Sequence, residues 1–394
     1  MNKTLFLSVS RETFLVMAGI YIHVPFCYTR CSYCDFYKTT DQQLKGEYIK
    51  AVRKEIDLNA SFFSNEAIKT IYFGGGTPST LSPDELSSII THLFKYFTKD
   101  TVTELTIEVN PDDVSEAYIK GLLQAGVNRV SMGVQSFYDA HLRKMNRRHN
   151  AAQAMNAIRT AQKCGVNNMS IDLIYGLPYM SFEEWKANVS QAIESKVQHI
   201  SAYHLTFEKG TLYYDYLKKG TLKEVPEESS IKQFEYLVDQ LTKAGYDNYE
   251  ISNFALPGYY SQHNSNYWTG EKYLGLGPSA HAFNGKQRIW NVRDLNRYCK
   301  SVMNDEAYFE KEELSVIDRY NETIMLGLRT KKGFVMKAIE QFDNSKLQQF
   351  FKTELKKQLA LKTIEIIDGY CAITSNQRFV TDRIISEFFY LNED

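Results

Sequence analysis

Six short β-rich runs, each followed by a longer amphipathic segment, leave this chain few folds to choose from. They are GIYIHVP (19–25), TIYFGG (70–75), ELTIEVN (104–110), NRVSMGVQS (128–136), MSIDLIYG (169–176) and HISAYHLTF (199–207). The segments between them have helical spacing. SPDELSSIITHLFKYF, for example, opens with Ser82 as N-cap, Pro83 at the first helical position and Glu85 three residues after the cap. Strand, helix, strand repetition implies parallel pairing with right-handed crossovers, and so an α/β barrel-type unit over 19–245. The sharpest polar and glycine-rich residues fall at the strand ends: a cysteine loop after the first run, GGGTP after the second, Glu108 in the third, Gln135 in the fourth and Asp172 in the fifth. The C-terminal ends of parallel strands converge on one mouth, where such folds place their chemistry. Any one of these residues alone reads as a turn or a strand-end cap; five together point to a site.

The rhythm changes after about residue 245. NFALPGYYSQHNSNYW is a loop rich in Asn, Ser, Gly and aromatics, followed by YLGLGPSAHAF, which predicts a connecting segment over 246–309 that supplies barrel-closing loops. From 310 to 394 helical segments lead to TIEIIDGYCAIT, whose Asp368-Gly369 is the dipeptide of a tight hairpin turn, and then to a last helix, TDRIISEFF. This predicts a smaller, winged-helix-like α+β domain. A formal net charge of -1 over 394 residues gives it no general attraction to nucleic acid, so it reads as a packing or partner-binding unit. Residues 1–18 read as a loose N-terminal extension: their apolar run is broken by Ser8, Ser10, Arg11 and Glu12, too interrupted for a signal peptide or a membrane span. Met17 is a candidate initiator.

Three of the six cysteines, Cys27, Cys31 and Cys34, lie within YIHVPFCYTRCSYCDF. Cys164, Cys299 and Cys371 are scattered and read as small buried hydrophobes; the pattern is no disulfide framework and suits a reducing cytoplasm. Three clustered thiolates can ligate zinc, with His23 as a fourth ligand, or an iron–sulfur cluster. A cubane held by three cysteines keeps one iron open to an outside ligand. The aromatic residues Phe26, Tyr28, Tyr33 and Phe36 then shield it from water and oxygen.

C-x3-C-x2-C after the first strand of a βα repeat resembles the signature of the radical S-adenosylmethionine (SAM) superfamily. The resemblance implies a partial (β/α)6 TIM-like barrel, a [4Fe–4S] cluster on Cys27, Cys31 and Cys34, and SAM bound at the open iron. It also implies a ring of cofactor contacts. Gly75, Gly76 and Thr77 would bring backbone close to the methionine moiety; Glu108 and Asp172 would accept from its cationic parts and ribose hydroxyls. Gln135, Arg147, Tyr21 and Tyr33 complete the ring.

The combination YIHVPFC, YFGGGTPS, SMGVQSF, IDLIYGLP and ISNFA…SQHNSNYW is similar, over residues 19 to 390, to the family that contains oxygen-independent coproporphyrinogen III oxidase and the HemW haem chaperones. The oxidase carries a further cysteine where this chain has Phe36, and a long N-terminal arm before its first strand. HNSNYW, His263 to Trp268, matches a motif of the HemW type. The resemblance therefore implies a haem chaperone with no catalytic residue of its own. It would bind the cluster, SAM and haem, and pass haem to an acceptor such as a respiratory haem protein, with an electron donor as a further partner if SAM is cleaved. His263, Tyr267 and Trp268 are the candidate haem contacts, by iron ligation and by stacking. The plainer reading is that His263 caps a turn and Trp268 anchors the second domain. The alternative function is the oxidase's decarboxylation in porphyrin biosynthesis.

Overall fold

The computed structural model describes residues 18–64 and 66–391. The expected extension over 1–18, with Met17 as initiator, lies outside them except for Ala18, where the first strand begins.

Six parallel strands, β1 (Ala18–Val24), β2 (Ile68–Gly75), β3 (Glu104–Val109), β4 (Arg129–Gln135), β5 (Met169–Tyr175) and β6 (His199–His204), pair in sequence order. Each follows its predicted run to within three residues. Their alternation explains the architecture. Ile20, Ile22 and Val24, then Ile71 and Phe73, then Leu105, Ile107 and Val109 face outward and are buried under the crossover helices. The inward residues are polar: Tyr21 and His23, Thr70 and Tyr72, Thr106 and Glu108, Ser131 and Gln135, Ser170 and Asp172. Register sets them side by side, Tyr21 opposite Tyr72 and Asp172 opposite Ser201. A parallel sheet with one apolar and one polar face curves around the polar one, with helices on the other. Those helices start where capping chemistry puts them. Ser82 and Ser181 each accept from the backbone N–H three residues on, while Glu85 and Glu184 return the bond.

The sheet does not close. Segment 246–309 extends it at both edges: β8 (Asn253–Ala255) runs antiparallel beside β6, with β7 (Asp247–Asn248) antiparallel beyond it, while β9 (Tyr273–Leu276) runs parallel beside β1. Beyond β9 come antiparallel β10 (His281–Phe283), β11 (Gln287–Asn291) and β12 (Phe309–Glu313). The anticipated boundary at 309/310 thus falls inside β12. What fills the barrel's N-terminal end is the short helix Gln262–Trp268, whose first amides donate to the buried Glu104 carboxylate at 2.8 and 3.1 Å. Charge at a helix N-terminus is a stabilising arrangement that also satisfies two orphan N–H groups.

Beside β9, the helix Lys45–Leu58 contributes a buried carboxylate, Glu55. It accepts from Gly277 N at 2.8 Å, from Asn291 Nδ2 at 2.6 Å and from the Tyr298 hydroxyl. Burial nonetheless pushes its pKa up to about 7.

A second core, separate from the first, forms around Tyr320, Ile324, Phe351 and Phe388. Its elements run helix Val316–Leu328, β13 (Phe334–Val335), helices Lys337–Glu340 and Ser345–Ala360, β14 (Ile364–Ile367), β15 (Tyr370–Ile373) and helix Thr381–Glu387. This is winged-helix-like order, with Asp368 and Gly369 both at positive φ in the tight turn between β14 and β15. The unit packs on the barrel through Phe379, whose ring meets those of His204 and Phe234 at 5.7 and 5.8 Å, and through Arg378, which donates to Asn248. Among the described residues no helix is long and apolar enough to cross a membrane.

Candidate functional site

The cysteine loop is pinned before any ligand arrives. Cys27 N donates to Thr39 O (2.9 Å), Thr39 N to Pro25 O (2.7 Å), Lys38 Nζ to Cys34 O (2.6 Å), and Ser32 N to Met145 O (3.1 Å). The loop sits over the C-terminal ends of the strands, and its three thiols line one cavity of about 350 Å3. All six cysteines are free thiols. Cys27 Sγ lies 3.3 Å from Thr77 Oγ1, and Arg147 Nη1 donates to Cys31 Sγ at 3.3 Å. Burial pushes the Cys27 thiol up to about 11 and raises Cys34, so a metal group must displace protons to gain these ligands.

Among the described residues no three His, Cys, Asp or Glu side chains converge on a single ion position. His23 also turns away from the cysteines. Its Nε2 donates to Tyr37 O at 2.9 Å, which leaves Nδ1 to accept from the Tyr21 hydroxyl at 3.1 Å. Three thiols around one cavity, with His23 held elsewhere, fit an iron–sulfur cluster that takes three protein ligands.

The rest of the cavity comes from the strand ends. A Cβ on Gly75 (φ 109°) would lie 2.6 Å from the His23 ring, and one on Gly76 would lie 2.8 Å from the Pro25 carbonyl carbon. These glycines let β2 press against the cysteine loop while their backbone, with Thr77, lines the cavity. Glu108 accepts from Tyr72 Oη at 2.8 Å and Gly75 N at 3.2 Å, and burial raises its pKa to about 7. Asp172, near Ser131 Oγ at 3.4 Å, is raised to about 6, again by burial. Gln135 holds φ 67°, a left-handed backbone that side chains rarely adopt and that ends β4 with its amide at the cavity. Arg147 is fixed by Asn110 Oδ1 and Gly133 O, both at 2.7 Å, yet its buried Nε has no partner. Buried donors are rarely left so unless a ligand completes them. Together the glycine cradle, the unpaired guanidinium nitrogen and the two raised carboxyls fit an amino-acid-bearing cofactor such as SAM.

Tyr33 lines this cavity, but Tyr21 does not: it faces a neighbouring cleft with Tyr267. His263 and Trp268 lie apart from the mouth. His263 is buried on the inner face, with Nδ1 2.8 Å from Thr70 Oγ1 and Nε2 3.1 Å from the Tyr267 hydroxyl, and its ring stacks on Tyr72 at 5.0 Å. Trp268 sits beside the C-terminal unit, with the Arg329 guanidinium 5.9 Å from its ring. Sequence reading missed Arg129, a fully buried guanidinium on the inward face whose charge works against the upward shifts of Glu108 and Asp172. An arginine at an inward position of a β-run was its only signal. Asn110 and Lys38, which hold Arg147 and the loop, carried none.

Comparison with known proteins agrees with this geometry. Residues 21–192 match the Radical SAM superfamily model and residues 314–380 the HemN C-terminal domain model. A Heme chaperone HemW of Lactococcus lactis is 35% identical over 92% of this chain and 93% of its own length; that of Bacillus subtilis is 34% identical over 94% and 99%. In fold, coproporphyrinogen III oxidase (HemN) of Escherichia coli superposes with a TM-score of 0.80 at 22% identity, covering 95% of this chain and 90% of that one. The chain belongs to the radical SAM superfamily, within the family of HemW haem chaperones and HemN-type coproporphyrinogen III oxidases.

Proposed function

We propose that this protein is a cytoplasmic haem chaperone of the HemW type, which holds a [4Fe–4S] cluster and SAM, binds haem and hands it to an acceptor haem protein. The observation that carries the reading is likeness to HemW proteins over more than nine-tenths of both chains, joined to a three-thiol cavity. Cys27, Cys31 and Cys34 would hold the cluster; when bound there with SAM it supplies one-electron reducing chemistry. The chain's own part is to bind and orient. Arg147 places an N–H on Cys31 Sγ, which draws charge off a thiolate, and offers its free Nε to a carboxylate. Glu108, held by Tyr72 and the Gly75 amide, presents a carboxyl to an ammonium group, and Gln135 and Asp172 reach hydroxyls from the far strands. Tyr33 lines the cavity and screens the thiols, whereas Tyr28 and Phe36, expected to shield the loop from water, are exposed rings.

The second reading, oxidative decarboxylation of coproporphyrinogen III, has the HemN fold in its favour. Against it stands Phe36, an exposed ring at the position of the oxidase's additional cysteine. Anaerobic reconstitution of the full chain separates the two. SAM should change the paramagnetic resonance of the reduced cluster, haemin should give a Soret band, and coproporphyrinogen should remain unchanged. Turnover of coproporphyrinogen would replace the chaperone reading with the enzymatic one.

A further inference from the structure

A second cavity, also of about 350 Å3, lies behind the cysteine loop, and Asp35 and Phe36 line both. Nothing in the cluster and SAM site uses its other walls. Tyr267 and Tyr273 meet edge to face at 4.8 Å and 79°, giving a rigid aromatic corner. His281, on β10, is exposed at the cleft, and neither of its ring nitrogens hydrogen-bonds to another described residue. Arg293 stands at the rim, its Nη2 donating to Asp35 O at 2.7 Å.

Two other histidines approach this cleft, and both are spent. His23 is held by Tyr21 and Tyr37, His263 by Thr70 and Tyr267. Only His281 among the three offers a nitrogen without first breaking internal bonds. An open imidazole, two tyrosine rings and a guanidinium match a flat, iron-bearing macrocycle with carboxylate arms.

Resting on the chaperone reading above, we propose that haem binds in this cleft, with a nitrogen of His281 as axial iron ligand, Tyr267 and Tyr273 against the macrocycle and Arg293 on a propionate. His263 then acts as a positioning residue, through its bond to the Tyr267 hydroxyl. The HNxxYW motif serves haem by holding a tyrosine, not by ligating iron. The shared Asp35–Phe36 wall places the haem cleft beside the loop that bears Cys34.

The test is a haemin titration of the full-length, anaerobically purified protein and its variants, followed by Soret absorbance and by paramagnetic resonance of the ferric iron. H281A should lose the imidazole signature and weaken binding about tenfold or more. R293Q should keep the signature and weaken binding about threefold, as expected of a rim charge. Equal thermal midpoints would show that the variants are folded. If H281A keeps the wild-type spectrum and affinity, the haem lies elsewhere and the assignment falls while the chaperone reading stands. If the wild type itself shows no saturable haemin binding, the chaperone reading falls, and this site with it.

Discussion

The two ends of the barrel are built from the same strands and behave as opposites. At the floor, the two central polar groups are satisfied: Glu104 takes the two first amides of the helix Gln262–Trp268, and His263 is held on both nitrogens, although Asn266 Oδ1 in the same helix has no partner among the described residues. At the mouth they are left wanting. Three thiols are free, Arg147 Nε has no acceptor, Gln135 sits at φ 67° and two carboxyls are raised by burial. Unmet polar groups cost stability. What sets the mouth apart is that its unmet groups, three thiols and a guanidinium nitrogen, line one cavity, as a ligand site requires.

That contrast can be broken from either side. The largest effect belongs to the mouth: C31A should drop reconstituted iron from about four per chain to below one, with the apo protein's denaturation midpoint little changed. Iron retained at the wild-type level would remove the three-thiol assignment. At the floor the outcome reverses. H263A should cost about 3 kcal/mol in a urea or thermal unfolding series, from lost stacking, the lost bond to Thr70 and the unpaired Tyr267 hydroxyl, while cluster assembly persists.

Glu55 lies on the mouth's flank and sharpens the comparison through pH. Its folded pKa, about 7, stands above its ordinary 4.5, so between those values the native state binds more protons than the unfolded chain. Stability from this group is present at low pH and is lost as pH rises toward 7, by roughly 2–3 kcal/mol. E55Q should flatten the dependence of the unfolding free energy on pH across that window; an unchanged slope would put its origin elsewhere. The smallest effect tests the floor helix alone. Ser261 caps it by accepting from Asn264 N at 3.3 Å, so S261A should lower stability by about 1 kcal/mol. No change in SAM binding is expected from it.

Much of the framework was legible because it is local. The six β-runs, the Ser82 cap and the Asp368-Gly369 turn are each decided within a few residues, by alternation, capping and backbone preference. The cysteine spacing is likewise local, since one short loop must bring its own thiols together. The residues that looked least interpretable in the sequence are those whose partners are remote. Glu104 opens a β-run with nothing nearby to mark its partner, the helix 158 residues later that lays its amides on it. HNSNYW reads as a loop of cofactor contacts, and becomes a helix because the barrel end needs a plug.

By itself, then, the sequence determined the βα order, the three-thiol loop and the family, since each is carried by neighbours in the chain. Tertiary structure alone decided that the sheet stays open with added strands at both edges, that His263 is turned into the floor and His281 out to a cleft, and that Arg129 is buried among distant partners. The reason is physical. Period and capping fix what a segment becomes, but the burial of a polar side chain depends on bonds to groups that only the folded chain brings near.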